Sequence, residues 1–344
     1  MIIPELRNCV NSTDFTICRI MSRNQIQNLF LHRRKRSCYT MKRFLLIFAA
    51  LFFIGGSHAQ EYRLTFKNTT ELQAFLHWSA SRIPLVSCHR GGPIPGFPEN
   101  AIETFANSIR NQPSVIECDA GFSKDSVLMM MHDDRLDRTT NGTGELSDKT
   151  FAELRKLKLK DNEGKLTSFQ IPTLDEVLEW GKNKVLFTLD IKRGVPYKSL
   201  IEAVRRNKAE SYSIIITYTA NQAAEVHKLA PDLMISASVR SISDLERLNS
   251  LGVPNDRIVA FVGVSAPEKS VYDYLHGKGI WCILGTMGNL DNSAKANGEA
   301  LYERLTEEGA DILSSDRSVE CGKQLLNYSK KHKLSSPHLV ITEK

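Results

Sequence analysis

The sequence predicts an α/β chain folded as a single-domain (β/α)8 TIM barrel. Three observations lead there. Eight short apolar, β-branched runs recur between residues 85 and 314, segments of helical period separate them, and no repeat, low-complexity tract or long linker interrupts residues 80–335. Strands that are apolar almost throughout are buried on both faces, as in a parallel sheet covered by helical crossovers. Eight of them in a chain of 344 residues fit a closed barrel, with a doubly wound open sheet as the alternative.

The first 59 residues stand outside that barrel. Residues 41–59 carry Lys42 and Arg43, thirteen apolar or small residues from Phe44 to Gly56, then Ser57-His58-Ala59. This is the pattern of a secretory signal peptide cleaved after Ala59, and it implies export to a periplasm or the cell exterior. The apolar run is shorter than the roughly 20 residues a membrane span needs, and no Cys follows it to carry a lipid, so no stable anchor is expected after cleavage. Residues 1–40 precede a complete signal, so Met41 reads as the start and 1–40 as an upstream extension that is not translated.

The basic run His32 to Arg36 belongs to that leader. Residues 1–59 hold nine Lys or Arg against Glu5 and Asp14, a net +7, so the chain's formal +6 leaves the remainder near −1. The overall basic charge is therefore no sign of a nucleic-acid partner. Four of seven cysteines follow Ala59, namely Cys88, Cys118, Cys282 and Cys321, without metal-ligand spacing. Buried thiols are the default for them, with a disulfide left open.

A lead-in, residues 60–82, carries a helix near Glu71 to Ser79. The barrel occupies residues 83–335, with strands at Leu85–His89, Val115–Asp119, Val185–Asp190, Ser213–Tyr218, Met234–Val239, Ile258–Val262, Ile280–Leu284 and Asp311–Ser314. Helical stretches such as AIETFANSIR, TLDEVLEWGK and ALYERLTEEG lie between them. Thr173 with Glu176 forms a capping-box pattern, and Gly252, Gly279 and Gly309 sit where helices should stop. After the second strand, Val127 to Gly144 reads as an extra strand ending at His132, then a charged loop with an Asn141-Gly142 turn. Residues 336–344 form a C-terminal tail.

A barrel builds its active site at the C-terminal ends of its strands. Those ends carry His89-Arg90, Glu117-x-Asp119, His132-Asp133 and Asp190-x-Lys192. Glu117 and Asp119, two apart on a strand, face the same way; inside a barrel such a pair is costly without a cation. With Asp190 they offer three hard oxygen ligands, which suits Ca²⁺ or Mg²⁺. The plainer alternative pairs Asp190 with Lys192 or Arg193 and leaves Glu117 an ordinary strand-end charge.

His89 and His132 alone among the seven histidines after Ala59 stand at strand ends beside other charges, and they suit acid and base roles. His77, His227, His276, His332 and His338 are expected on solvated surface. Arg90 and Lys192 add permanent positive charge for phosphate. Together these groups describe a site for cleaving an anionic phosphoester. Gly91 and Gly92 let the backbone approach a ligand, Pro93, Pro95 and Pro98 stiffen the loop, and Asn100 reads as the cap of the next helix.

HRGG followed by PEN, then IECD, MHDDRLDRTTNGTG, IPTLDEVL and LDIK stand in order between His89 and Lys192. In these motifs the chain resembles the glycerophosphodiester phosphodiesterase family; the later strands match only loosely. The resemblance implies a (β/α)8 barrel in which His89 and His132 are acid and base, Arg90 and Lys192 contact phosphate, and Glu117, Asp119 and Asp190 hold one Ca²⁺ or Mg²⁺ ion. It implies hydrolysis of a small glycerophosphodiester to sn-glycerol 3-phosphate and an alcohol, through attack by the neighbouring glycerol hydroxyl and opening of the cyclic phosphate by water.

The chain departs from the family pattern in three places. Asp190 stands where the family usually has Glu, Asp125-Ser126 replaces a usual Asp-Gly, and WCILGTMGNLD, Trp281 to Asp291, replaces a Trp-Thr-x-Asn pattern in a segment that shapes the pocket. The connection from His132 to Thr173 is too short for a large inserted domain, so an open pocket is expected. Two alternatives remain. One is phospholipase-like cleavage of intact lipid, with Phe97, Phe122 and Trp281 at the mouth; the other is a secreted phosphodiester-binding protein without turnover.

Overall fold

The computed structural model describes residues 60–343. The expected signal peptide at 41–59 and the extension at 1–40 lie outside the described residues. Eleven strands are present among those described: β1 Gln60–Leu64, β2 Leu85–Cys88, β3 Ser114–Phe122, β4 Leu128–Met130, β5 Leu186–Ile191, β6 Ser213–Thr217, β7 Met234–Ser238, β8 Ile258–Gly263, β9 Trp281–Gly285, β10 Ile312–Ser315 and β11 Leu339–Glu343. Strands β2, β3 and β5 to β10 pair in parallel, and β10 pairs back onto β2, which closes an eight-stranded barrel. The open-sheet alternative is thereby excluded. β4 runs antiparallel on β3 outside the ring; the extra strand is real and stops two residues short of His132.

Helices join successive strands, and their ends follow the sequence signals. Thr173 and Glu176 close a capping box on the helix Leu174–Gly181. Gly252, Gly279 and Gly309 follow helices with φ of 88°, 77° and 136°, values that side chains with a Cβ resist. The expected lead-in helix is shifted to Thr69–Phe75 and capped by Asn68.

Alternation along each strand sorts side chains into two cores. Outward residues such as Val86, Ile116, Leu189 and Ile235 pack under the helices. Inward residues change character along the barrel axis. Leu85, Val115, Leu186, Ile214, Met234, Val259, Trp281 and Ile312 form an apolar layer at the N-terminal end. One step of the pleat further on come Ser87, Glu117, Thr188, Ser236 and Ser314, which line a cleft. The lead-in supplies Leu72 and Leu76 to the apolar layer, and the Phe75 ring lies 5.2 Å from that of Trp281.

Four details differ from the sequence reading. The tail is not loose, because β11 pairs antiparallel with β1. Trp281, expected near the pocket and as a rim aromatic, is fully buried in the N-terminal layer, since it stands at the start of β9, the end of the barrel away from the cleft. His276 is buried against Asp311, with its Nε2 3.0 Å from Oδ2 and its ring stacked on Trp78. Asp311, fully buried, also pairs with Arg82 and accepts from the Cys282 amide, which explains why a helical histidine turns inward here. His338 likewise packs on Phe66 instead of facing only solvent. The four cysteines are free and buried, and burial pushes each thiol up, away from reactivity.

Among the described residues no helix is long and apolar enough to cross a membrane. Trp281→Ala is expected to lower folding stability by about 3–5 kcal/mol in urea denaturation. A change within about 0.5 kcal/mol would show that the residue does not anchor the N-terminal layer.

Candidate active site

The barrel's register brings three carboxylates together. Asp119 on β3 stands opposite Asp190 on β5, and Glu117 lies two residues earlier on the same face. Oxygens of the three lie within 4.8 Å of one another, all buried. Lys192 follows β5 and holds Asp119 Oδ1 at 2.6 Å and Asp190 Oδ2 at 3.0 Å. The alternative that Asp190 pairs with Lys192 is therefore true as geometry, yet it accounts for only part of the charge. Three carboxylates against one ammonium leave an excess of about two negative charges in a site of low polarity.

The titration directions follow from that crowding. Burial, then the neighbouring Asp119 charge, raises Glu117 well above the ordinary carboxylate range. Burial pushes Asp119 the same way, but the Lys192 ammonium and the Asn100 amide outweigh it and hold Asp119 low. Burial works against charge on Lys192, and Asp119 and Asp190 more than compensate. Asp190 Oδ1 is buried without a hydrogen-bond partner, while its Oδ2 accepts from Lys192 and from Tyr218 Oη at 2.7 Å. An orphaned carboxylate oxygen, a charge excess of two and an all-oxygen donor set fit one hard divalent cation held by Glu117, Asp119 and Asp190.

Both histidines stand beside this cluster, each backed by a carboxylate. His89 follows β2, and its Nδ1 lies 2.6 Å from Asp316 Oδ1, on the loop after β10. The hydrogen bond from His89, ahead of burial, holds Asp316 below the ordinary carboxylate range. His132 Nδ1 lies 2.8 Å from Asp133 Oδ1, and its Nε2 lies 2.8 Å from the Arg90 guanidinium. Arginine only donates, so Nε2 is the acceptor and Nδ1 carries the proton.

Arg90 and His132 belong to a closed ring of charge-assisted hydrogen bonds. Asp133 takes two bonds from Arg138, Arg138 grips Glu99 with two at 2.8 Å, and Glu99 accepts from Arg90 at 3.3 and 3.4 Å. Arg138 above all holds the Asp133 carboxyl far below its ordinary range. Arg90 thus stands behind His132 and is not part of the cleft lining. Its φ of 51° lets its amide donate to Glu117 Oε2 at 2.7 Å, so one strained residue serves both the acidic cluster and the histidine.

The stiff loop after Arg90 has a structural use. A Cβ on Gly91 would meet Phe105 Cε1 at 2.2 Å, and one on Gly92 would meet Ser318 Oγ at 2.5 Å, so the glycines admit the protein's own helices rather than a ligand. Pro93 to Pro98 make a tight turn closed by Ile94 and Phe97 and tethered through the Gly96 amide to Asp161. Asn100 does not cap the next helix, whose cap is Ala101. Its side chain instead donates to Asp119 Oδ2 and accepts from the Asp119 amide, both at 2.9 Å.

The cleft between these groups encloses about 180 Å³, with His89, His132, the three carboxylates and Lys192 on one side and Tyr218, Ser238 and Met287 on the other. Asp316 and Tyr218 were not singled out from sequence. Tyr218 ends a predicted strand and Asp316 lies two residues past another, so the strand-end rule extended to every strand would have found them.

The glycerophosphoryl diester phosphodiesterase family model matches residues 89–259. A glycerophosphodiester phosphodiesterase of Caldanaerobacter subterraneus subsp. tengcongensis is 35% identical over 158 residues, 44% of this chain and 65% of that protein. The match thus spans less than two thirds of that relative's length. The crystal structure of a glycerophosphoryl diester phosphodiesterase from Parabacteroides distasonis superposes with a TM-score of 0.76 at 33% identity, covering 83% of this chain and all of the other. A phosphodiesterase of Oleispira antarctica, solved in complex with the product sn-glycerol-3-phosphate, shares the fold at a TM-score of 0.56 and 21% identity, over 71% of this chain and 97% of that one.

In chelated protein the raised Glu117 means that stability is fully present below the ordinary carboxylate pKa and is lost as pH rises through the folded value. A divalent cation should reverse this. Ca²⁺ or Mg²⁺ at a hundredfold its Kd is expected to add about 2.7 kcal/mol, read as a rise in Tm that grows with pH and shrinks in Glu117→Gln and Asp190→Asn. An unchanged Tm with either ion would remove the cation from the site.

Proposed function

Because the chain belongs to the glycerophosphoryl diester phosphodiesterase family, we propose that it hydrolyses glycerophosphodiesters to sn-glycerol 3-phosphate and an alcohol. The observation that carries this reading is the pair of carboxylate-backed histidines, His89 with Asp316 and His132 with Asp133, at the edge of a cleft holding three buried carboxylates and Lys192. The Oleispira protein, solved with sn-glycerol-3-phosphate as product, is consistent with that product class.

In the proposed mechanism His132, with its lone pair at Nε2, takes the proton of the glycerol hydroxyl beside the scissile phosphate as that oxygen attacks phosphorus. Asp133 steadies the imidazolium that forms. His89, with Nδ1 bound to Asp316, presents Nε2 to the cleft and delivers a proton to the departing alcohol. Exchanged roles then let water open the cyclic phosphate. Lys192 and Arg90 supply positive charge to the non-bridging oxygens, Arg90 by moving from His132 to the substrate. Glu117, Asp119 and Asp190 would hold one Ca²⁺ or Mg²⁺, whose contribution is Lewis-acid stabilisation of phosphoryl charge.

Asp190 is shorter than the glutamate usual in the family, and Tyr218 and Lys192 both bind its Oδ2, which leaves Oδ1 for the cation. Cleavage of intact lipid is less well supported, since Trp281 is buried at the far end of the barrel, leaving Phe97 and Phe122 partly exposed as rim aromatics. The leader sequence supports export of the enzyme.

Release of sn-glycerol 3-phosphate from glycerophosphocholine, glycerophosphoethanolamine and glycerophosphoinositol should depend on the cation. It should fall about 10²–10⁴-fold in His89→Ala and in His132→Ala. Asp316→Asn should fall less and displace the acidic limb of the pH–rate profile, as a positioning residue would. A folded, cation-binding protein that releases no product from any of the three would overturn the reading.

A further inference from the structure

A second cavity, of about 520 Å³, opens beside the catalytic cleft and shares Tyr218 and Ser238 with it as a common wall. It is built by the segments that follow β6 and β7, from Thr219 and Asn221 at the start of the helix Ala220–Leu229 on one side, and from Arg240 with Asp244 and Arg247 of the helix Ile242–Ser250 on the other. Both guanidinium groups are exposed, and neither makes an ion pair among the described residues. The arginines nearer the histidines are committed, Arg90 and Arg138 to Glu99 and Arg135 to Glu145.

Asp244 is the cavity's one acidic lining residue, and its Oδ2 is already occupied by the Arg240 and Ser241 amides at 2.9 and 3.0 Å. At the start of the neighbouring helix Ala220–Leu229 the Gln222 amide is taken up by Thr219 Oγ1, and Gln222 Oε1 accepts in turn from the Tyr218 and Thr219 amides. Two guanidinium groups against the one Asp244 carboxylate leave the cavity lining with a net positive charge of about one. The opposite flank of the cleft differs, since a cavity there mixes Asp133, Asp134 and Glu145 with Lys192 and Arg193.

We infer that the Arg240–Arg247 cavity is an alcohol-side subsite that selects glycerophosphodiesters whose alcohol carries a second phosphoryl group. The inference rests on the hydrolytic reading above and adds the class of leaving group. A diester phosphate seated between the histidines and Lys192 directs one substituent past Tyr218, where two unpaired guanidinium groups receive an anion bidentately. A cationic alcohol such as choline meets like charge in the same place. The net positive charge of the lining attracts a phosphoryl group and not a neutral alcohol.

The test compares 1,3-bis(sn-glycero-3-phospho)glycerol with glycerophosphocholine on the cation-loaded protein. The ratio of kcat/KM for the two is expected to favour the bis-phosphate at least tenfold. It should fall at least tenfold in the Arg240→Ala/Arg247→Ala double variant, mainly through KM. A ratio near one, or a ratio unchanged in the double variant, overturns the subsite. Calorimetric binding of both compounds to His89→Ala protein reads the same preference without turnover. Preference in binding with no hydrolysis by the unmodified protein would uphold the subsite while the hydrolase reading fell. Equal binding would reject the subsite whatever the turnover.

Discussion

Three carboxylates forced together on adjoining strands govern the rest of this site. A closed parallel barrel gives β3 and β5 a fixed register, so Asp119 and Asp190 cannot move apart, and Glu117 must share their face. Burying such a group is costly unless its charge is met. Each neighbour answers part of that cost. Lys192 bridges two of the acids, the Arg90 amide reaches the third, Asn100 fixes Asp119 from both sides, and Tyr218 takes one oxygen of Asp190. What they leave over is one fully buried unpartnered oxygen, Asp190 Oδ1, and an excess of negative charge that a divalent cation would meet.

The same constraint explains the shape of the barrel's interior. A barrel of eight strands is filled by its own side chains, and here the filling is divided along the axis. Large apolar groups and the lead-in helix occupy the N-terminal half, whereas serines, threonine and charged groups occupy the C-terminal half. Residues 123–173 then form a cap with its own small core around Met131, Leu136, Leu146 and Leu159. This cap presents His132 and Asp133, and the ring through Arg138, Glu99 and Arg90 ties it to the loop after β2.

Much of this was legible because the informative residues are local. Each strand is a contiguous apolar run, each cap lies within four residues of its helix, and the pairs His89-Arg90, Glu117-x-Asp119 and Asp190-x-Lys192 sit at strand ends that the sequence alone locates. What was missed depends on closure. Asp316 becomes the partner of His89 only because β10 pairs with β2, across more than 220 positions. β1 meets β11 only at the ends of the chain. His276 looked like surface because its helix is amphipathic, yet Asp311 enters the N-terminal face from another strand and draws it in. Trp281 was misplaced because the whole segment to Asp291 was read as pocket-shaping, although its first residue starts β9 and so lies at the base of the barrel.

The closed ring also explains why the family motifs crowd into Cys88 to Lys192. The three clustered carboxylates, both histidines, Arg90 and Lys192 come from β2, β3, β5, the residues next to them and the cap, which are successive in sequence and adjacent in space. The other half, β6 to β9, contributes Thr217, Ser236, Ser238, Phe261 and Ile283 to the cleft wall and none of the three acids. Tyr218 stands on the boundary, since it holds Asp190 through its hydroxyl and forms the wall of the outer cavity with its ring. A change of alcohol specificity that spared the chemistry would therefore begin beyond Tyr218, on the loop that carries Arg240.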